Sequence, residues 1–397
     1  MDKKGNTDIA FKTTGCTWLS LVSDQVGVPL DQVNFIACQV FGLAVAFWFR
    51  LCLNPQRTTP EVRHAVATII GASFVMFCFG WYAIHVFILV LACYGIMIKA
   101  SVHKVHRYTM IASLGYLTVC QVSRVFVFDY GILSTDFSGP LMIITQKITT
   151  LAFQVHDGMC QKQEELTDDQ RRLAVHSMPS LLEYLSYNIN FMSVLVGPCS
   201  MYKEYIEFIK GQHVQHRLKR VKDTSSQQNG WDKIPEPSPM TATSFKSFID
   251  NWNIQTALWL KSVCYDRAPY YRMPLTFVLS AIWHGVYPGY YFTFITAIPI
   301  TLAARSVRRN FREYFLSSRG LKICYDVVTW AATQLTVCYT VMPFLLLAVE
   351  PTMQYYRSMY FHVHVISILA MILLPSKPSG FKPEIHARHS NNNVKEN

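Results

Sequence analysis

Long runs without a charged side chain constrain this fold more than any other feature of the sequence. Residues 65–98 contain no Asp, Glu, Lys or Arg over 34 positions, and residues 273–304 contain none over 32. Residues 327–349 and 358–376 are two shorter runs of the same kind. Since about 20 apolar residues cross a bilayer as an α-helix, these runs predict an all-α, polytopic membrane protein. They exclude a soluble enzyme, a disordered chain and a coiled coil.

Composition divides the 397 residues into five parts. We predict a polar N-terminal segment at 1–32, N-terminal membrane helices at 33–206, and a polar, basic loop at 207–244. A second set of membrane helices follows at 245–374, and residues 375–397 form a polar tail. The pattern predicts a bundle of about eight to nine spanning or re-entrant helices.

The sequence also predicts the form and surroundings of individual helices. Residues 65–98 are too long for one helix, and Gly80 in their middle predicts a tight turn between two tilted helices. Residues 139–154 contain Gln146 and Lys147, which predicts a membrane helix that faces protein or an aqueous cavity. Residues 245–265 mix apolar and polar side chains and predict an interfacial helix. Residues 273–303 predict a span.

The net charge of +11 arises from cations that lie between or beside the apolar runs. Such juxtamembrane cations usually face the cytoplasm and anionic lipid headgroups, and no nucleic-acid motif accompanies them. The bilayer, and not nucleic acid, is therefore the predicted partner. The 11 cysteines include no Cys-x-x-Cys pair, so we predict neither a metal site nor a disulfide framework.

His284 is the leading candidate for chemistry. It lies inside the uncharged run 273–304, where a polar side chain is costly. A neutral imidazole suits proton transfer near pH 7, and Pro288 and Gly289 are expected to distort the helix just after it. From these residues alone, the favoured interpretation is a structural histidine beside a proline kink, and a general base is the alternative.

Asn253 and an aromatic segment near the C-terminus are the other candidates. An Asn amide can donate to a developing oxyanion or orient a hydroxyl, but from sequence alone the favoured interpretation of Asn253 is the polar face of an interfacial helix. Residues 355–364 concentrate Tyr, Phe and His at the boundary of a span, where an aromatic belt is more common than a site.

The order of these motifs resembles that of the membrane-bound O-acyltransferase family, in its lysophospholipid acyltransferase branch. Residues 283–290 read Trp-His-Gly-Val-Tyr-Pro-Gly-Tyr and are similar to the branch's Trp-His-Gly-x-x-Pro-Gly-Tyr motif. Residues 339–344 are similar to its Tyr-x4-Phe motif, and residues 251–254 resemble the segment that holds the family's Asn. The Tyr-x3-Tyr-Phe-x2-His motif is matched by Tyr356, Tyr360, Phe361 and His364.

This resemblance implies that His284 is the essential histidine and Asn253 its catalytic partner. The implied reaction transfers a fatty acyl group from acyl-CoA, a co-substrate, to the free hydroxyl of a lysophospholipid with a serine, ethanolamine or choline headgroup. It implies a multi-pass protein of the endoplasmic reticulum membrane in phospholipid remodelling, without a cofactor or metal. The implied substrate-binding residues are Trp252, Trp283, Tyr287, Tyr290, Tyr356, Tyr360 and His364.

The resemblance also implies a shortened form. Three residues separate Pro239 from Thr243, whereas family members carry further membrane-associated segments between the landmarks on either side. We therefore expect an internal segment to be lacking between Pro239 and Thr243, with impaired catalysis as one alternative. A transporter or receptor is the alternative from a different class, although no sequence-similar second half supports it.

Overall fold

Every regular element is helical in the computed structural model, which describes residues 15–127, 137–160, 163–212 and 239–374. The predicted all-α class is thereby confirmed. Among the described helices, 30–52 and 60–99 are long and apolar enough to cross a membrane. A third qualifies if 349–358 and 362–373, which meet at 71°, form one broken span. The count of eight to nine stays a prediction.

The N-terminal helices include the long apolar stretch that Gly80 interrupts. Gly80 begins a single 3-10 turn, Gly80–Tyr82, at a φ of 52° that favours glycine. The break lies at Gly80 as predicted, but in place of a tight turn between two tilted helices it leaves 60–99 as one 40-residue candidate span. The helices are α1 (Ser20–Val26), α2 (Leu30–Cys52), α3 (Pro60–Phe79), α4 (Ala83–Lys99), α5 (Val105–Val127), α6 (Ser138–Cys160), α7 (Asp168–Leu173), α8 (Leu181–Ile189) and α9 (Tyr202–Ile209).

The C-terminal helices are shorter than the sequence predicts, because two expected helices are each broken. The interfacial helix at 245–265 is interrupted at Asn253, and the span at 273–303 is interrupted between His284 and Pro288. The helices are α10 (Phe245–Trp252), α11 (Ile254–Leu260), α12 (Arg272–His284), α13 (Pro288–Phe315), α14 (Arg319–Leu346), α15 (Val349–Ser358) and α16 (His362–Leu373). One turn of π-helix, Lys261–Tyr265, joins α11 to α12.

Helix α6 is the scaffold on which both halves rest. Its polar side chains are buried, as predicted for a helix that faces protein. Lys147 is fully buried, and its Nζ donates to the Tyr187 carbonyl at 2.8 Å and to Ser193 Oγ at 2.5 Å. These bonds fix α8 and the turn after it against α6.

Helices occupy parts of two segments that were predicted to be polar, and the predicted boundaries themselves stay predictions. Helix α1 and the start of α2 lie within the expected polar segment 1–32, and α9 extends to Ile209 within the expected loop 207–244. The rest of that loop up to 238 and the predicted tail at 375–397 lie outside the described residues.

Candidate active site

Aromatic rings surround the imidazole of His284, the last residue of α12. The ring centroids of Trp283, Phe344, Phe294 and Tyr290 lie 4.6, 5.0, 5.2 and 5.7 Å from that of His284. We call these four residues the His284 cage. The ring nitrogens of His284 hydrogen-bond to none of the residues that the structure describes. An imidazole nitrogen without an internal partner is available to a bound hydroxyl.

The chain turns directly after His284 because two residues prevent the helix from continuing. Gly285 adopts a φ of 140°, which side-chain-bearing residues rarely adopt. Pro288 occupies the first turn of α13, a position where its missing N–H costs no helical hydrogen bond. The predicted distortion after His284 is therefore a complete break, and the turn presents the imidazole at a helix end.

Gly289 allows α13 to approach the end of α14 without an intervening side chain. Its N–H donates to the Leu347 carbonyl at 2.8 Å. A Cβ at Gly289 would lie only 2.0 Å from the Pro343 carbonyl oxygen. This contact places Phe344 of α14 against His284 and Tyr290, so the cage depends on a backbone approach that only glycine permits.

Replacing Gly289 with Ala is expected to separate α13 from α14 and open the His284 cage. The added methyl overlaps backbone atoms that have no flexible end to move, and overpacking costs about 1–3 kcal/mol. The unfolding temperature in detergent should fall. Gly115→Ala is the matched control, since a Cβ there meets nothing within 4 Å, and it should leave stability unchanged or raise it. Equal unfolding temperatures for both variants would contradict the close approach.

Helix α6 holds the cage from the other side. The indole Nε1 of Trp283 donates to the Met142 carbonyl at 3.0 Å. Trp259 of α11 lies 5.6 Å from Trp283 between ring centroids, and its Nε1 donates to Thr149 Oγ1 at 2.9 Å. Both donors belong to tryptophans that are almost fully buried. Two helices that flank the site are therefore pinned to one rigid element.

Asn253 lies at the start of α11 and outside the cage. Its Oδ1 accepts a hydrogen bond from the Thr256 N–H at 3.2 Å, which is an N-cap. The Thr256 hydroxyl in turn accepts from Gln146 Nε2 of α6 at 2.9 Å. Asn253 is exposed, and in the described residues no hydrogen bond joins it to His284. Trp252, the preceding residue, is 70% exposed.

A second cluster surrounds His364. Its Nδ1 is hydrogen-bonded to the Tyr339 hydroxyl at 2.9 Å and its Nε2 to Thr296 Oγ1 at 3.0 Å. Thr296 Oγ1 is also 3.1 Å from the hydroxyl of Tyr356. We call these four residues the Tyr339 clamp. Because both of its ring nitrogens are bonded, His364 ties α16 to α13 and α14. Tyr360 lies apart from it and is 87% exposed.

Helix α14 joins the two clusters, since its Phe344 belongs to the His284 cage and its Tyr339 belongs to the Tyr339 clamp. Tyr339 and Phe344 are the first and last residues of the Tyr-x4-Phe motif on which the resemblance rests. Sequence reasoning missed Phe294 and Thr296, which carry no motif signal. It also missed Gln121, whose Nε2 donates to the Trp283 carbonyl at 3.1 Å. Gln121 offered a usable signal, because an amide within an apolar run is costly.

Three ion pairs hold the connection between α11 and α12, outside the candidate spans. Lys261 Nζ lies 3.0 Å from an Asp169 oxygen and 3.7 Å from an Asp266 oxygen. Burial acts to lower the pKa of Lys261, but the bond to Asp169 and the charge of Asp266 outweigh it and raise the pKa. Arg267 forms a bidentate pair with Asp157 of α6 at 2.9 and 2.6 Å. The connection is therefore anchored by charge at neutral pH.

A model of the membrane-bound O-acyltransferase family matches residues 122–227 and 220–342. The second match contains both His284 and Asn253. The chain belongs to the membrane-bound O-acyltransferase family. Membership decides against the transporter or receptor alternative and makes the His284 cage the candidate centre of an acyl-transfer reaction.

The chain is also similar to individual members of this family. It is 47% identical to membrane-bound glycerophospholipid O-acyltransferase 1 of Mus musculus over 482 residues, covering 96% of this chain and 97% of that protein. It is 43% identical to membrane-bound glycerophospholipid O-acyltransferase 2 of Gallus gallus over 465 residues, covering 93% and 90%. Lysophospholipid acyltransferase 6 of Drosophila melanogaster is 32% identical over 477 residues, covering 96% and 65%.

The alignment with the Mus musculus protein is longer than the chain itself. It runs over 482 positions, while the chain has 397 residues, so at least 85 positions lack a counterpart here. Because the alignment extends over 96% of this chain and 97% of the relative, these positions fall inside it and not at its ends. The difference in length between the two proteins is therefore internal.

Proposed function

We propose that this chain is a lysophospholipid O-acyltransferase that uses acyl-CoA as donor. The observation that carries the proposal is the His284 cage: an imidazole with unbonded nitrogens, at a helix end, within the matched part of the family. The glycerophospholipid and lysophospholipid acyltransferases to which the chain is similar support the choice of substrate. No cofactor enters the proposed reaction.

The proposed reaction is a direct transfer. The lysophospholipid hydroxyl oxygen attacks the thioester carbonyl carbon while a His284 ring nitrogen accepts the hydroxyl proton. The tetrahedral intermediate then collapses, the carbon–sulfur bond breaks, and the CoA sulfur leaves with the proton that His284 returns. An ester replaces the thioester, so the protein carries no acyl group between steps. General-base catalysis of this kind contributes about 10²–10⁴-fold.

Asn253 is proposed to stabilise the oxyanion or to orient the hydroxyl. Its Oδ1 is occupied by the N-cap bond, which leaves the two Nδ2 hydrogens available for donation. A single donor to the oxyanion is worth about 3–4 kcal/mol when it is enclosed with the substrate. In this chain Asn253 is exposed. The proposed role therefore requires a further protein segment that shields the start of α11 from water.

The roles that we propose for the remaining substrate-binding candidates differ with the surroundings of each side chain. We assign Trp283, Tyr287 and Tyr290 to substrate contacts beside the imidazole, and the exposed Trp252 and Tyr360 to the lipid chains. Tyr356 and His364 are assigned a positioning role, because the Tyr339 clamp already uses their polar atoms.

We further propose that the chain is a shortened form that lacks a segment between Pro239 and Thr243, and that it acts in the endoplasmic reticulum membrane in phospholipid remodelling. The internal length difference of at least 85 positions supports the first point. The family to which the chain belongs supports the second.

The test is a microsomal assay with labelled oleoyl-CoA and lysophospholipids that carry serine, ethanolamine or choline. Diacylglycerol and a sterol serve as alternative acceptors on the same microsomes. We expect labelled product with at least one lysophospholipid above vector-only microsomes, and none above background with diacylglycerol or sterol. Product with diacylglycerol or sterol alone would replace the proposed acceptor with another within the same family.

A further inference from the structure

Gln121 of α5 is a buried amide beside the turn that follows His284, and its oxygen has no hydrogen-bond partner among the described residues. The side chain is 6% exposed. Its Nε2 donates to the Trp283 carbonyl at 3.1 Å, while its Oε1 is buried without a hydrogen bond in the part of the chain that the structure describes. A Cβ at Gly285 would lie 3.6 Å from the amide carbon and nitrogen of Gln121. The amide therefore borders the residue that follows His284.

The orientation of this amide is fixed by its neighbour. The Trp283 carbonyl only accepts hydrogen bonds, so the nitrogen of Gln121 must face it and the oxygen must face away. Leaving a buried acceptor unpaired costs free energy, which a fold normally avoids. An acceptor held in this way beside a reaction centre is suited to a donor that arrives with the substrate.

The chemistry of the proposed reaction restricts that donor. The single proton of the lysophospholipid hydroxyl goes to His284 and is not free for Gln121. The thioester carbonyl and sulfur accept and do not donate. The nearest remaining donor in acyl-CoA is the amide N–H of its cysteamine unit, which is joined to the thioester sulfur through two methylene groups.

We propose that Gln121 Oε1 accepts a hydrogen bond from the cysteamine N–H of acyl-CoA, an inference that rests on the proposed function. One side chain then serves two contacts. Its nitrogen holds the backbone of the His284 turn, and its oxygen holds the donor substrate a few bonds from the carbon under attack. Gln121 thereby sets the distance between the imidazole and the thioester.

The test compares two small donors that differ in one group. S-oleoyl-N-acetylcysteamine carries the amide N–H, and the oleoyl thioester of 2-mercaptoethyl acetate carries an ester oxygen in its place. We expect the wild-type chain in microsomes to use the amide donor with a kcat/KM about tenfold higher or more, because a missing donor leaves the buried acceptor unpaired. This comparison needs no variant.

Variants then assign the preference to Gln121. Gln121→Met should reduce the preference to about twofold or less and leave the KM for lysophospholipid unchanged. Gln154→Met is the matched control, since Gln154 of α6 is also buried with an unpaired Oε1, but its Nε2 faces Met201 and not the His284 turn. That variant should keep the wild-type preference.

Binding separates the two ways in which the proposal can fail. Oleyl-CoA thioether, which lacks the reactive carbonyl, is titrated into purified chain in lipid nanodiscs. Absence of binding would overturn acyl-CoA as the donor and the Gln121 contact with it. Binding accompanied by equal use of the two small donors, or by a preference that survives in Gln121→Met, would overturn the Gln121 contact alone. Equal use of the two small donors, with a KM that rises in Gln121→Met for lysophosphatidylserine and lysophosphatidylethanolamine but not for lysophosphatidylcholine, would assign Oε1 to a headgroup ammonium and also overturn it.

Discussion

His284→Ala is expected to reduce acyl transfer by about 10²–10⁴-fold while the protein remains folded in the membrane. The imidazole is half-buried in the His284 cage and has no hydrogen bond to a described residue. Its removal therefore deletes a proton acceptor without leaving an internal polar partner unpaired. His284→Gln is expected to lose the same activity, since an amide fills the cage but accepts no proton near pH 7.

The measurement is product formation from labelled oleoyl-CoA, normalised to the amount of protein in microsomes, with the unfolding temperature in detergent recorded for each variant. His103→Ala is the matched control, because His103 is exposed in the turn before α5. It should keep wild-type turnover. Near-normal turnover in His284→Ala would remove the imidazole from the mechanism, and a large fall in unfolding temperature would attribute the loss to folding.

The parts of the fold that sequence predicted are those set by hydrophobicity over many residues. The run around Gly80 and the buried helix with Lys147 were predicted because long apolar segments and costly polar groups leave a signal in composition. The breaks at Asn253 and at His284–Pro288 were not predicted in full. They depend on an N-cap bond to Thr256 and on the φ of Gly285, which are properties of a few backbone angles.

The candidate site also contains features that the sequence could predict and features that it could not. His284 could be chosen from the sequence because its imidazole lies in a 32-residue uncharged run. The rings of Phe294 and Phe344 could not be placed around it, because their positions follow from the contact between Gly289 and Leu347 across two helices. The resemblance implies that Asn253 is the catalytic partner of His284, and this role stays a prediction for a residue that the structure places at an exposed helix start.

Restoring the segment that we propose to be lacking is expected to raise turnover by about 100-fold or more. The change inserts, between Pro239 and Thr243, the residues of the Mus musculus relative that align with no residue of this chain. Three exposed residues next to the insertion point supply the physical reason. Trp252 is 70% exposed, Met240 is 77% exposed, and Asn253 is exposed between Trp252 and α11.

An amide donor stabilises an oxyanion strongly only where water is excluded, because water competes for the same charge and screens it. We propose that the unmatched positions, at least 85 in the alignment with the Mus musculus relative, form a segment that covers α10 and α11 and encloses Asn253 with the substrate. Turnover of this chain, the restored chain and the restored chain with His284→Ala is compared at equal protein. Activity only in the restored chain would identify the shortened form as catalytically impaired. Equal activity in the 397-residue chain and the restored chain would show that the described helices enclose the reaction without the segment, and that the exposure of Asn253 does not limit it.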